Sequence, residues 1–244
     1  MAHAGFGESD GAAESPSRNG TVFYDTATTL DGYLADEQNS LSWLFEVPTD
    51  GLPGTGEGAG SEAEAEDPWA HSPVGRADVV VSGSTTYEWV LAEEQVRRNP
   101  EKWAEFFGDR PYYVFSSRDL WTPPGHDVRV VRGGVAKNLP GILSEAAGRS
   151  TGPGGSGVAG GSVWLVGGGD LVGQFFDSRA LDRVEVSVAP ATLGAGAPLL
   201  PRRIGSAQLT LDKVERQGKF ARLEYAVAYP EGKDPSASGE RRPG

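Results

Sequence analysis

The chain of 244 residues contains no cysteine. That excludes a disulfide framework, a Cys-ligated zinc or iron–sulfur site, a thiolate nucleophile and a redox pair. Only three histidines occur, His3, His71 and His126, scattered and never paired, so no metal site is expected. No run approaches the roughly 18 apolar residues that a membrane span needs. The opening MAHAGFGESDGAAESPSRNG lacks both a basic and an apolar region and does not read as a signal peptide. The expectation is a soluble cytoplasmic protein without a membrane partner.

Basic residues are missing from one long stretch. Between Arg18 and Arg76 there is no Lys or Arg, but there are eleven acids, among them Asp25, Asp31, Glu46 and Asp50. The remaining 23 acids nearly balance the 22 bases, so the net charge of −12 is mostly local. No basic face is evident, which argues against nucleic acid as a partner. A phosphorylated cofactor bound elsewhere is not excluded.

Glycine is plentiful and clumped. Residues 1–20, 51–66, 150–161 and 230–244 hold 18 of the 35 glycines. These windows are too poor in apolar side chains to offset their ordering entropy. They read as two disordered tails, 1–20 and 230–244, and two flexible insertions, 51–66 and 150–161, in a single domain over 21–229.

The ordered parts alternate. Strands are expected at 21–27, 78–82, 112–115, 128–131, 163–166, 183–189, 207–211 and 220–229. Asp31-Gly32 reads as a turn between extended segments. Helices are expected at 85–96, with Ser84 or Thr85 as cap, and at 100–107, 138–147 and 170–178. Apolar strands alternating with helices predict an α/β domain. Its mostly parallel sheet has about eight strands, with helices on both faces and an antiparallel C-terminal edge.

Three strand ends stop at Gly or Ser: VVVSG before STTYE, YVFSS before Arg118, and VWLVGGG before DLVGQF. Ligands of open α/β sheets bind outside the carboxyl ends of the strands, and a helix N-terminus there favours a phosphate. Gly167, Gly168 and Gly169 make the best such site, and Gly83, Ser84, Thr85 and Thr86 the second. Together they could hold the two ends of a dinucleotide pyrophosphate. The G-x-G-x-x-G fingerprint and a P-loop lysine are both absent.

In order, these pieces resemble the dihydrofolate reductase-like superfamily, closest to the C-terminal reductase domain of the bifunctional riboflavin-pathway deaminase-reductases. The matching segments are TLDGYLA (29–35), 40–45 with Trp43, GSTTYEW (83–89), FSSR (115–118), VGGGDLVGQF (166–175) and VAPATLGAGAPLLP (188–201). No single piece is specific; six in one order are.

The resemblance implies an NADPH-dependent reductase that passes a hydride to a C=N or C=O of a small heterocycle. The nearest named activity is 5-amino-6-(5-phosphoribosylamino)uracil reduction. Dihydrofolate reduction and a non-catalytic nucleotide-binding protein are the alternatives. Ala27 and Leu34 would line the nicotinamide. Gly83, Ser84, Thr85 and Thr86 would bind pyrophosphate from one side, and Gly167, Gly168, Gly169, Asp170 and Leu171 from the other. Ser116, Ser117 and Arg118 would surround the 2′-phosphate. A cis bond is implied between Gly167 and Gly168, and a homodimer is suggested. Two departures stand out: Ser84 where a base is common, and Tyr33 where riboflavin-type reductases carry Lys. Asp31 and Trp43 are substrate-side candidates. Asp50, Glu46 and Asp31 are candidate acids, and no proton donor is assigned.

Overall fold

A computed structural model describes residues 20–48 and 72–230. Asp50, the insertion 51–66 and most of both tails lie outside the described residues. The elements run β1 (Thr21–Thr29), β2 (Tyr33–Ala35), α1 (Ser42–Phe45), β3 (Val79–Gly83), α2 (Ser84–Glu93), α3 (Lys102–Phe107), β4 (Tyr112–Phe115), β5 (Val128–Val131), α4 (Val135–Arg149), β6 (Ser162–Gly167), α5 (Gly169–Asp177), β7 (Arg183–Ala189), β8 (Ala197–Pro198), β9 (Leu209–Gln217) and β10 (Phe220–Val227).

Eight strands form one sheet in the order β5-β4-β3-β6-β1-β7-β10-β9, and β2 pairs with β8 separately. From β5 across to β7 every pairing is parallel; β10 is antiparallel to both its neighbours. This is the α/β sheet that the alternation of strands and helices predicts. Parallel strands buried on both faces need apolar residues at every position, and β3 supplies Val79, Val80 and Val81, all fully buried.

The period of two divides β1 between two cores. Val22 and Tyr24 pack with Val172 and Phe175 of α5 and Ile142 of α4. Phe23 points the other way, into the cluster of Tyr87, Leu91, Trp103 and Tyr112. Trp103 stands edge-on to Tyr112 at 4.9 Å between centroids, the arrangement that ring quadrupoles favour.

Three local readings change. The cap of α2 is Gly83, without a side-chain hydrogen bond, so Ser84 is the first helical residue. Helix α4 begins at Val135 rather than 138, which leaves Pro140 inside it. Val135 is buried in the core, and that packing outweighs the backbone bond which proline cannot donate. Strand β9 runs to Gln217 because an edge strand exposed on both faces carries no alternation to read.

Residues 150–161, expected to be a flexible insertion, make specific contacts. Buried Asp78 accepts hydrogen bonds from the Ser156 backbone (2.7 Å), the Ser156 hydroxyl (2.5 Å) and the Ser162 backbone (2.7 Å). A Cβ at Gly161 would collide with the Ala146 backbone, so this glycine is there for a close approach to α4. The segment lacks apolar bulk and is instead pinned by one carboxylate. Asp78→Ala should therefore cost about 1–3 kcal/mol for each buried donor left unpaired, measured by urea unfolding. A variant with 150–161 replaced by a short Gly-Ser linker should show a comparable loss of stability.

Candidate functional site

The parallel strands β1, β3, β4 and β6 all point their carboxyl ends to one side of the sheet. Strand β6 lies between β1 and β3, with Ser82 opposite Gly167, so the starts of α2 and α5 meet. A Cβ built on Gly83 would lie 3.8 Å from the Gly168 nitrogen, which measures how closely the two glycine turns approach. Both helices have glycine N-caps, Gly83 and Gly168, and neither cap is closed by a side chain. The first N–H groups of a helix have no partner within it, and the macrodipole adds partial positive charge there. The bond between Gly167 and Gly168 is cis, as the resemblance implies, and Gly167 has φ +149°.

These turns open into a cleft of about 610 Å³. Ala27, Leu34, Gly83, Ser84, Thr85, Thr86, Gly167, Gly168, Gly169, Asp170 and Leu171 all line it. Ser116 and Ser117 line an adjoining depression that shares Phe115, Leu171 and Gln174 with the cleft. Arg118 lines neither; its guanidinium binds Glu88 at 2.6 Å. Arg132 stands in the wall beside Ser116, Ser117 and Gly133, its guanidinium bonded to Asp119 at 2.6 Å.

Arg132, Trp89, Trp164 and Gln174 are missing from the sequence-based site. Arg132 directly follows β5, where the rule about strand ends already looks. Trp89 lies three and four residues beyond Thr86 and Thr85, and Gln174 lies four beyond Asp170, so helical spacing places each on its neighbour's face. Trp164 carried no such signal, since its strand reads as continuous core.

The substrate-side candidates have structural duties. Asp31 accepts bonds from the Thr29 hydroxyl (2.6 Å) and from the Leu193 and Gly194 backbones (3.1 and 2.7 Å), joining the first hairpin to the loop after β7. The Thr29 bond, followed by the backbone bonds, lowers its pKa from the ordinary value, so it is a poor proton donor. Trp43 is buried with Val47, Ala189 and Phe220, and its indole N–H donates to the Leu34 carbonyl. It supports the Leu34 wall from behind. Glu46 is exposed and does not line the cleft.

Two acids do line the cleft. Asp170 is held by Gln174 and Arg202, which lower its pKa. Asp25 sits on the floor and belongs to a charged ladder. It faces Glu185 across β7, and Glu185 faces Glu224 across β10. Like charges directly opposite repel, and arginines neutralise them here. Arg222 grips Asp25 with two bonds of 2.6 Å and Glu185 with one of 2.7 Å, while Arg76 reaches both acids. Burial raises the pKa of Asp25 against the pull of Arg222 and Arg76. Burial also pushes Glu185 up, but the bond and charge of Arg76, with Arg222 and Arg183, hold it below its ordinary value.

The sheet order is that of a dihydrofolate reductase-like fold. Residues 157–221 match the family described as the RibD C-terminal domain. The chain is similar to the uncharacterized protein YwjB of Bacillus subtilis, 26% identical over 208 residues, which cover 85% of this chain and 98% of YwjB. Among solved structures it resembles a putative riboflavin biosynthesis protein from Shewanella sp. PV-4, with TM-score 0.59 and 20% identity over 86% of this chain and 99% of that one. A Thermotoga maritima diaminohydroxyphosphoribosylaminopyrimidine deaminase/5-amino-6-(5-phosphoribosylamino)uracil reductase gives TM-score 0.52 and 14% identity. That match covers 86% of this chain and 57% of the Thermotoga protein. Among the described residues no helix is long and apolar enough to cross a membrane, and no cluster of acids or histidines could hold a metal ion.

Neighbouring glycines should respond differently to one methyl group. A Cβ at Gly168 meets nothing within 4 Å, whereas at Gly169 it collides with the carbonyls of Pro198 and Leu199. Gly169→Ala should cost about 1–3 kcal/mol of stability by overpacking, measured by denaturant unfolding. Gly168→Ala should leave the fold within about 1 kcal/mol of the wild type while placing its methyl in the cleft.

Proposed function

We propose that this protein is an NADPH-dependent reductase. The observation that carries the reading is the convergence of two glycine-capped helix starts on one cleft with an apolar wall. Oriented backbone donors at a helix start bind phosphate, and here two such starts lie side by side. The cleft over the two starts offers backbone donors to a pyrophosphate, and the matched RibD C-terminal domain supports a reductase role. Bound there, NADPH would supply a hydride to the substrate.

The chain's own residues bind, orient and exclude water. The backbones of Gly83–Thr86 and Gly168–Leu171 hold the pyrophosphate. Ala27 and Leu34 border the nicotinamide end with small and apolar surface. Ser116, Ser117 and Arg132 receive the 2′-phosphate, with two hydroxyls and a guanidinium matched to a dianion. Asp170 would oppose an anion at the start of α5, but Arg202 neutralises it at 3.1 Å.

The non-catalytic alternative has one observation in its favour. Both acids lining the cleft are bound to arginine, so among the described lining residues neither is an unpaired proton donor. NADPH consumption with an imine or carbonyl substrate separates the two readings.

The role given to Arg132 is tested by titrating NADPH and NADH calorimetrically. Arg132→Ala should weaken NADPH by about tenfold, the worth of a charge-assisted bond to phosphate, and leave NADH unchanged. Arg118→Ala should have the smaller effect, because Arg118 lies outside the depression that Ser116, Ser117 and Arg132 line. Equal losses for both cofactors would remove Arg132 from the phosphate site.

A further inference from the structure

We propose that the substrate is an uncharged, planar heterocycle without a phosphate or carboxylate tail. This rests on the reductase reading above and names the chemistry of its substrate half. The cleft has two halves of unlike character. One is the pair of glycine turns, continuing toward Arg132. The other is bounded by Leu34, Leu41, Leu44, Trp89, Val90 and Trp164. Phe45 is 64% exposed and stacks on Trp89, with ring centroids 6.3 Å apart and planes 17° from parallel. An aliphatic wall rimmed by a stacked aromatic pair gains most from a flat ring that slides in and leaves water.

In the half away from the two helix starts the charges tell against an anionic substrate. Among the described residues that line the cleft, none is Lys, Arg or His. Its two charged groups are the carboxylates Asp25 and Asp170. Arg222 lies behind Asp25 but is only 11% exposed and is committed to Asp25 and Glu185. Arg76 is likewise bonded to both acids. Residues 20–48, which supply all three leucines of the wall, hold five acids, Asp25, Asp31, Asp36, Glu37 and Glu46, and no Lys or Arg. A phosphate carried into this half would shed hydration without gaining a cation.

The test is calorimetric titration of the protein, with and without saturating NADPH, using matched probes. The pairs are 5-amino-6-(ribosylamino)uracil and its 5′-phosphate, riboflavin and FMN, and 6-methyl-dihydropterin and dihydrofolate. At least one neutral member should bind, and at least about tenfold tighter than its charged partner. Leu41→Arg and, separately, Leu44→Arg should narrow that gap by raising the affinity of the charged member. Equal or tighter binding of the charged members, or no binding by any neutral one, overturns the proposal. If NADPH fails to bind while the neutral preference holds, the cofactor reading falls and the ligand class stands. If NADPH binds and the preference is absent, only the ligand class falls.

Discussion

Strands β3 and β6 are some eighty residues apart in sequence, yet they lie side by side and parallel, with Ser82 level with Gly167. That register brings two helix starts to one height above the sheet. If β6 slid by one residue, its core side chains would exchange faces. The buried valines of β3 and Val163 and Leu165 of β6 therefore fix the position of the glycine turns more firmly than any contact inside the cleft. Packing around the turns reinforces this. Gly169 lies against the carbonyls of Pro198 and Leu199, the Leu199 nitrogen donates to Gly32, and Arg202 ties the same loop to Asp170 and Asp177. The site is a backbone cradle held by core packing, and its side chains are secondary to it.

The opposite half of the sheet solves a different problem. Helices α2 and α3 cover the β3–β4 side of this face, and the ladder of Asp25, Glu185 and Glu224 crosses β1, β7 and β10 beyond them. Arg222 and Arg76 make the ladder tolerable, and removing either alone would strand buried carboxylates. The arrangement also keeps the Asp25 charge on the cleft floor from acting alone.

Much of this was legible in the sequence because it rests on local signals. Continuous apolar runs ending at Gly or Ser gave β3, β4 and β6, and the strand-end rule then gave both glycine turns. The resemblance supplied the order of the pieces and the cis bond. What escaped depends on contacts between distant residues. Asp31 read as a hairpin acid, and its bonds to Leu193 and Gly194 span more than 160 positions. Asp78 opens an ordinary apolar strand, and nothing nearby announces that Ser156 anchors on it. Arg118 follows β4 in the FSSR segment, and its partner Glu88 comes from α2. Arg132 follows β5, which ends in valine rather than a small residue, so the strand-end signal is silent there.

The central claim is that one nicotinamide dinucleotide lies across the starts of α2 and α5. A crystal structure of the protein grown with NADPH tests it most directly. The account predicts the pyrophosphate between Gly83–Thr86 and Gly168–Leu171, the 2′-phosphate beside Ser116, Ser117 and Arg132, and the nicotinamide against Ala27 and Leu34. A dinucleotide bound elsewhere, or a cleft without cofactor density at saturating NADPH, would contradict it.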